Sequence, residues 1–426
     1  MNIKAVISHG LFKSSLIYAL VDSINKAIPF FLLPILTYYL TPVDYGIATN
    51  YNVFISILLV FVGLSVQGAI SVNFHKVTQV ELRKYISNAI IVISIALLVT
   101  ISIVAFLKPY LINFLKIPVY YLYFGCIVAY FQAITAINMV LWQLQEKPLL
   151  FGIYQLSQTS INVLLSLLFI IYYRYGWKGR VDAQNFSAVI YGVLSIFIIY
   201  KRGYFQFSFK RAYLNDVVIF TLPLIPHALS IWIRSAIDRV YITNLVGSYE
   251  TGIYATGFQF GLLVSFLTLA FNNAFVPFLY KRLETQDLQL LERIKRQLVK
   301  ITYIYILGIL MMSGVLTLIS YYVINHFLSQ EYVRAKEFVS WAILAQAFQG
   351  MYLMVANYIF YRKKTAKLAY ITFSCSLLQA CLSYFCIKQL GAIGGAYSTV
   401  VVSLVNFLAV WAYSSNVYKM PWFKRL

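Results

Sequence analysis

The sequence predicts an all-α integral membrane protein, with twelve transmembrane helices in two six-helix lobes around a central cavity. Three observations lead there. Hydrophobic residues make up 61% of the 426-residue chain and charged residues 11%, against roughly 45–50% and about 25% in an average soluble domain. The apolar residues gather in continuous runs that reach the roughly 20 residues a helix needs to cross the hydrocarbon. Thirdly, the two halves of the chain weakly repeat one another. A β-structure is excluded because open sheet edges would leave N–H and C=O groups unpaired in lipid, and because the runs lack the short period-2 segments of an outer-membrane barrel.

Taken in order, the first span is expected at 11–40. It is long, carries charges and ends in LTPVDYG without a small-residue cleavage site, so it reads as a retained span and not a secretory signal. A turn at 41–46 with Pro42 and Gly46 leads into 46–74, and further runs at 85–107, 117–142, 149–173 and 181–200 complete the first half. The seventh run, 217–246, opens the second half, and a turn at 247–252 with Gly247 and Gly252 leads into 252–279. The hydrophilic stretch that follows has Leu283, Leu288, Leu291, Ile294 and Leu298 at roughly helical spacing, the pattern of an amphipathic helix on the inner leaflet. Runs at 299–323, 337–361, 368–387 and 392–416 close the chain. The expected lobes are 1–205 and 206–426.

Basic residues are retained on the cytoplasmic side of a membrane. With the N-terminus inside, 23 Lys and Arg fall in cytoplasmic segments, 8 in outer ones and 3 within helices. Both termini are therefore expected in the cytoplasm. The net charge of +21 then reads as topology signal and attraction to anionic headgroups, with membrane lipids and no nucleic acid as partners. Cys126, Cys375, Cys381 and Cys386 lack CxxC spacing and read as small buried hydrophobes. The four histidines form no HExxH pattern and no glycine-rich phosphate loop is present, so no metal or cofactor is expected.

The repeat is visible in LTYYLTPVDYGIATNYNVF (36–54) against ITNLVGSYETGIYATGFQF (242–260), which match Thr37 with Thr243 and Gly46 with Gly252. An offset of 217 pairs Asn162 with Gln379, and YGWKGR (175–180) resembles LGAIGG (390–395). Each half has an even number of spans, so both begin on one side of the membrane. A parallel repeat of this kind places its cargo between the halves.

Five ionisable residues fall well inside spans: Asp22 and Lys26 in the first, Arg234, Asp238 and Arg239 in the seventh. Each charge in lipid would cost about 2.5–3.5 kcal/mol on insertion scales, so these faces should meet protein or a wet cavity. Asp22/Lys26 and Arg234/Asp238 are spaced i, i+4 and share a helical face, which allows structural ion pairs. The other reading is a cavity lining for polar or anionic cargo, since the bases exceed the acids; Arg239, without a same-helix partner, is the first candidate for a phosphate, which guanidinium matches. Asn25 shares the first-helix stripe, and Gln155, Gln158 and Asn162 share a face of the fifth. These amides could bond sugar hydroxyls or glue helices together. Both charged helices hold paired prolines, Pro29/Pro34 and Pro223/Pro226, expected to bend or break them.

The Pro-containing first helix followed by Leu40 and Asp44-Tyr45-Gly46, its echo Asp238-Arg239 followed by Gly252-Ile253-Tyr254, and Gly391-Ala392-Ile393-Gly394-Gly395-Ala396 resemble the bacterial polysaccharide flippases. These are the O-antigen and capsule repeat-unit translocases of the Wzx type, within the multidrug/oligosaccharidyl-lipid/polysaccharide exporter (MOP) superfamily. The resemblance implies a MATE-like fold and alternating-access transfer of an undecaprenyl-pyrophosphate-linked oligosaccharide from the cytoplasmic to the periplasmic leaflet of the inner membrane. It implies a cationic lining from Lys26, Arg234 and Arg239, and ion coupling through Asp22 or Asp238. Other polysaccharide-assembly membrane proteins are expected as partners. A multidrug cation antiporter of the same superfamily is the nearest rival, and needs an acidic cavity. A membrane polysaccharide polymerase is less compatible, because no sizeable outer loop carries catalytic groups; the chain is not expected to be an enzyme.

Overall fold

The computed structural model describes residues 3–206 and 208–422. Among them there are helices and no strands: α1 (Ile3–Tyr39), α2 (Pro42–Gly63), α3 (Val66–Asn73), α4 (Gln79–Leu115), α5 (Val119–Leu144), α6 (Pro148–Leu167), α7 (Gly176–Lys201), α8 (Arg211–Thr221), α9 (Ile225–Leu245), α10 (Ser248–Leu283), α11 (Leu288–Phe327), α12 (Lys336–Tyr361), α13 (Thr365–Leu390) and α14 (Ala392–Val417). Twelve stretches of the described residues are long and apolar enough to cross a membrane.

Helix starts follow from local chemistry. Thr41 and Asp44 form a reciprocal capping box ahead of α2, with Pro42 at the first helical position, and Thr78 with Glu81 does the same for α4. Each box satisfies two backbone N–H groups that a helix start leaves unpaired. Asp287 caps α11 by accepting from the N–H groups of Gln289 and Leu290.

Four departures from the expected elements have physical causes. The run at 46–74 is broken at Leu64 and Ser65, consecutive residues with φ of 48° and 53°, where the helical hydrogen-bond ladder cannot continue. The prolines act differently in the two charged helices. Pro29 and Pro34 sit inside a continuous α1, whereas Pro223 and Pro226 accompany a 3₁₀ turn, Leu222–Leu224, that divides the seventh span into α8 and α9. The amphipathic stretch is not a separate surface helix: Leu283 ends α10, and Leu288 to Leu298 form the first turns of α11, which runs unbroken into the span. Fourthly, Cys126 and Cys375 are buried as expected, but Cys381 is exposed and Cys386 half-buried.

The chain forms two compact units, Met1–Trp232 and Ile233–Leu426. In the first, Tyr51, Phe54, Ile55 and Leu58 of α2 pack on Leu122, Cys126 and Ala129 of α5 and on Val181 and Ala188 of α7. The Tyr51 hydroxyl donates to Asn185 Oδ1 at 2.8 Å. In the second unit, a Cβ at Gly257 or Gly261 would lie 2.7 Å from the Ala335 carbonyl oxygen or 2.9 Å from that of Ala342. Only hydrogen fits there, and such close backbone approach supplies packing energy where lipid offers no hydrophobic drive between helices.

Candidate functional site

In the second unit, α9 carries Arg234, Asp238 and Arg239. Asp238 is 5% exposed and accepts four hydrogen bonds, from Tyr254 Oη (3.1 Å), Gln379 Nε2 (2.9 Å), Ser383 Oγ (2.5 Å) and Thr399 Oγ1 (2.6 Å). These donors come from α10, α13 and α14, so the carboxylate ties α9 to three helices at once. An ionised carboxylate is an acceptor only, with about four lone-pair sites, and here each has a donor.

The expected i, i+4 pair between Arg234 and Asp238 does not form. Arg234 Nη2 donates instead to Gln349 Oε1 of α12 at 2.7 Å. With the Asp238 carboxylate saturated by neutral donors, its helix neighbour is left to a neutral acceptor. Arg239 donates to the Ser235 carbonyl and lies 5.9 Å and 6.0 Å from the ring centres of Tyr254 and Phe258. A guanidinium over an aromatic face keeps its charge at modest cost.

In the first unit, α1 lies against α6: a Cβ on Gly152 would come within 2.8 Å of Val21 Cγ2, and the Tyr18 and Phe151 rings meet edge-on at 5.1 Å. Asn25 and Gln155 are each about one turn further along. Their Oδ1 and Oε1 atoms, like the Tyr18 hydroxyl, are buried without a hydrogen-bond partner among the described residues. Asp22 is half-buried on α1, and the Lys26 side chain lies outside the described residues. The Gln158 backbone carbonyl accepts from Ser187 Oγ at 3.1 Å, joining α6 to α7.

One intramembrane charge escapes the sequence reading. Arg180 was expected in an outer loop, but α7 begins at Gly176, so Arg180 stands one turn inside the helix. Its Nη1 donates to Asn162 Oδ1 (2.9 Å) and Ser166 Oγ (2.6 Å) of α6. Two features pin that turn. Asp44 Oδ1 accepts from the Trp177 N–H at 3.3 Å, and a Cβ on Gly179 would lie 3.0 Å from the Phe169 carbonyl group. Phe169 belongs to a π-helical segment, Leu168–Tyr172, that continues α6. The WKGR stretch hid this turn, because its polarity reads as loop; the signal available was Gly176, whose φ of +56° suits a residue starting a helix after a sharp turn.

A contrasting guanidinium stands at the end of α7. Arg202 donates to Asn138 Oδ1 (3.2 Å) and Gln145 Oε1 (2.5 Å) and lies 5.6 Å from the Trp142 ring and 5.2 Å from that of Tyr204. Burial lowers its pKa from the ordinary arginine value. Enclosed by rings and amides, it is an anchor between α5 and α7. Among the described residues no group of His, Cys, Asp and Glu side chains could hold a metal.

A model of the family described as polysaccharide biosynthesis protein matches residues 11–283. An uncharacterized membrane protein of Haemophilus influenzae is 27% identical over 398 residues, which cover 92% of each chain. The fold resembles an inward-facing multidrug resistance MATE family transporter of the MOP superfamily, with a TM-score of 0.72 and 15% identity over 94% of this chain and 98% of that one. It also resembles the lipid II flippase MurJ in its inward closed conformation, with a TM-score of 0.70 and 15% identity over 96% and 87% of the two chains. The family match spans more than half the sequence: the protein belongs to the polysaccharide biosynthesis protein family and has the fold of the MOP superfamily.

Proposed function

We propose that the protein is a flippase that moves an undecaprenyl-pyrophosphate-linked oligosaccharide repeat unit, of O-antigen or another surface polysaccharide, from the cytoplasmic to the periplasmic leaflet of a bacterial inner membrane. It works by alternating access with both termini cytoplasmic. The family match over residues 11–283 carries this reading. Support comes from the charge balance, since among the described residues Arg234 hydrogen-bonds a neutral amide and no carboxylate, which suits an anionic cargo better than a cationic drug. In this reading Lys26, Arg234 and Arg239 contact the pyrophosphate, while Asn25, Gln155 and Gln158 contact sugar hydroxyls. Asp238, with Asp22 as the second acid, couples transfer to a proton or sodium gradient.

The multidrug antiporter reading rests on the MATE likeness alone, and a transport role rather than an enzymatic one suits either relative. The test is complementation of a flippase-deletion strain with wild type, Lys26→Ala, Arg234→Ala and Arg239→Ala at equal membrane abundance, reading out surface polysaccharide. Export is expected from wild type and to fall severalfold in the variants. If a clean deletion of the gene in its own host leaves surface polysaccharide intact, the proposal is wrong, and raised resistance to cationic drugs on expression would install the rival.

A further inference from the structure

α4 is the most apolar of the twelve spans and is largely exposed along its length, the character of a helix that meets lipid. Beside it lies a groove of about 400 Å³, walled by Ile91, Ile95 and Leu98 of α4, Tyr130 of α5, Ile196 of α7 and Phe205 of the chain between α7 and α8. The hydroxyls that reach it at depth are already spent. Ser94 Oγ donates to the Ile90 carbonyl at 2.9 Å and lies 3.0 Å from the Tyr130 hydroxyl, so the interior asks for hydrocarbon and not for a polar ligand. At the rise of an α-helix, Ser87 to Leu98 covers about 16 Å, half of a hydrocarbon core that is roughly 30 Å thick. The groove is one leaflet long.

Its Ser87 end is basic. The α4 stripe that lines it, Ser87, Ile91, Ser94 and Leu98, continues one turn back onto Arg83 and Lys84. Here the chain after α7 is laced to α4. Ser87 Oγ accepts from the Gln206 N–H at 2.9 Å, while Asn88 accepts from the Lys210 N–H at 3.0 Å and donates to the Ser208 carbonyl at 2.6 Å. A Cβ on Gly203 would lie 3.6 Å from Arg83 Cζ, which sets that guanidinium against the same chain. Arg83, Lys84 and Lys210 form no ion pair among the described residues. Of the two acids nearby, Glu81 is engaged in the capping box with Thr78, and Asp216 accepts from Tyr85 and Asn73. The charge at this end is therefore net positive.

We propose that this groove of the first unit is a site for an anionic phospholipid, with one acyl chain lying between α4 and α7 and the headgroup phosphate held by Arg83, Lys84 and Lys210. Clusters of Lys and Arg at a membrane surface recognise anionic headgroups, and the guanidinium fork matches phosphate oxygens. The length of the groove selects the occupant: a chain that ends near the bilayer midplane fills it, and a long polyprenyl chain would overrun it. The bound lipid would splint α4 to α7 and to the chain that leads into α8. The site does not depend on the transport reading.

The experiment uses the purified full-length protein, delipidated in a neutral detergent and titrated with dioleoyl phosphatidylglycerol or dioleoyl phosphatidylcholine, with bound lipid followed by native mass spectrometry. Phosphatidylglycerol is expected to bind at least about fivefold more tightly than phosphatidylcholine. Combining Arg83→Gln, Lys84→Gln and Lys210→Gln is expected to abolish that preference. Ile95→Trp, on a wall residue that is 52% exposed, narrows the groove and is expected to weaken both lipids alike. As a readout that needs no variant, phosphatidylglycerol with a diazirine in its acyl chain should crosslink wild type between Ile91 and Leu98 or at Phe205, mapped by peptide mass spectrometry. Equal binding of the two lipids, a preference unaltered in the triple variant, or crosslinks confined to other spans overturns the site. Displacement of phosphatidylglycerol by undecaprenyl phosphate at a lower concentration than by phosphatidylglycerol itself also overturns it, and would assign the groove to a polyprenyl tail.

Discussion

The two units use one scaffold to hold opposite charges. In the second, Gln379 and Ser383 join Tyr254 and Thr399 around the Asp238 carboxylate; in the first, Asn162 and Ser166 hold one edge of the Arg180 guanidinium. The helix that follows is built alike in both. Gly176 and Gly391 stand at its start with φ of +56° and +74°. Three residues on, Gly179 and Gly394 press against the backbone of the preceding span, where an added Cβ would meet the Phe169 carbonyl group at 3.0 Å and the Cys386 carbonyl oxygen at 2.2 Å. Amide and hydroxyl side chains both donate and accept, so a duplicated frame could change the sign of its buried charge while keeping its partners. The difference between the sites is saturation. Asp238 has each lone-pair site bonded and takes a proton or cation only by releasing one of its donors, whereas Arg180 makes both of its hydrogen bonds through Nη1.

The comparison breaks most visibly at Asp238. Asp238→Ala removes the acceptor shared by four buried donors and is expected to destabilise by about 2–4 kcal/mol, at roughly 1–3 kcal/mol for each donor left unpaired. Unfolding in mixed SDS micelles would measure it, and a loss below about 1 kcal/mol would mean the network is not holding the fold together. Next in size is Gly394→Ala, since a backbone oxygen at 2.2 Å cannot move aside as a side chain could. A cost of about 1–3 kcal/mol is expected, larger than that of Gly179→Ala, whose contact is looser.

Arg180 should behave in the opposite way. Arg180→Met removes a half-satisfied buried charge and is expected to leave stability unchanged or raise it by roughly 1 kcal/mol, measured by the same unfolding. A loss comparable to that of Asp238→Ala would place the two charges in one structural class. A single bond at 2.7 Å joins Arg234 and Gln349. A double-mutant cycle with Arg234→Met and Gln349→Leu is expected to give a coupling of about 1–2 kcal/mol.

The residues that made the second-unit site legible were those whose type is costly in lipid. Asp238 stands out in an apolar run, and the repeat pairs Gln379 with Asn162. Arg180 was hidden because its turn is polar, and hydropathy assigns a polar turn to a loop. Tyr254, Ser383 and Thr399 gave no signal as site residues, since hydroxyls are common in spans and any of them could as well bond its own backbone.

Twelve apolar spans and an all-α fold were determined by the sequence alone. The reason is the solvent: in hydrocarbon every backbone polar group must be satisfied within its own segment, so length and apolarity dictate a helix. Which charge meets which partner was decided only in the tertiary structure. Spacing places Arg234 and Asp238 on one face of α9, but the donors that claim Asp238 lie 16, 141, 145 and 161 residues away along the chain. Their approach depends on how α10, α13 and α14 pack, and helical periodicity does not encode that.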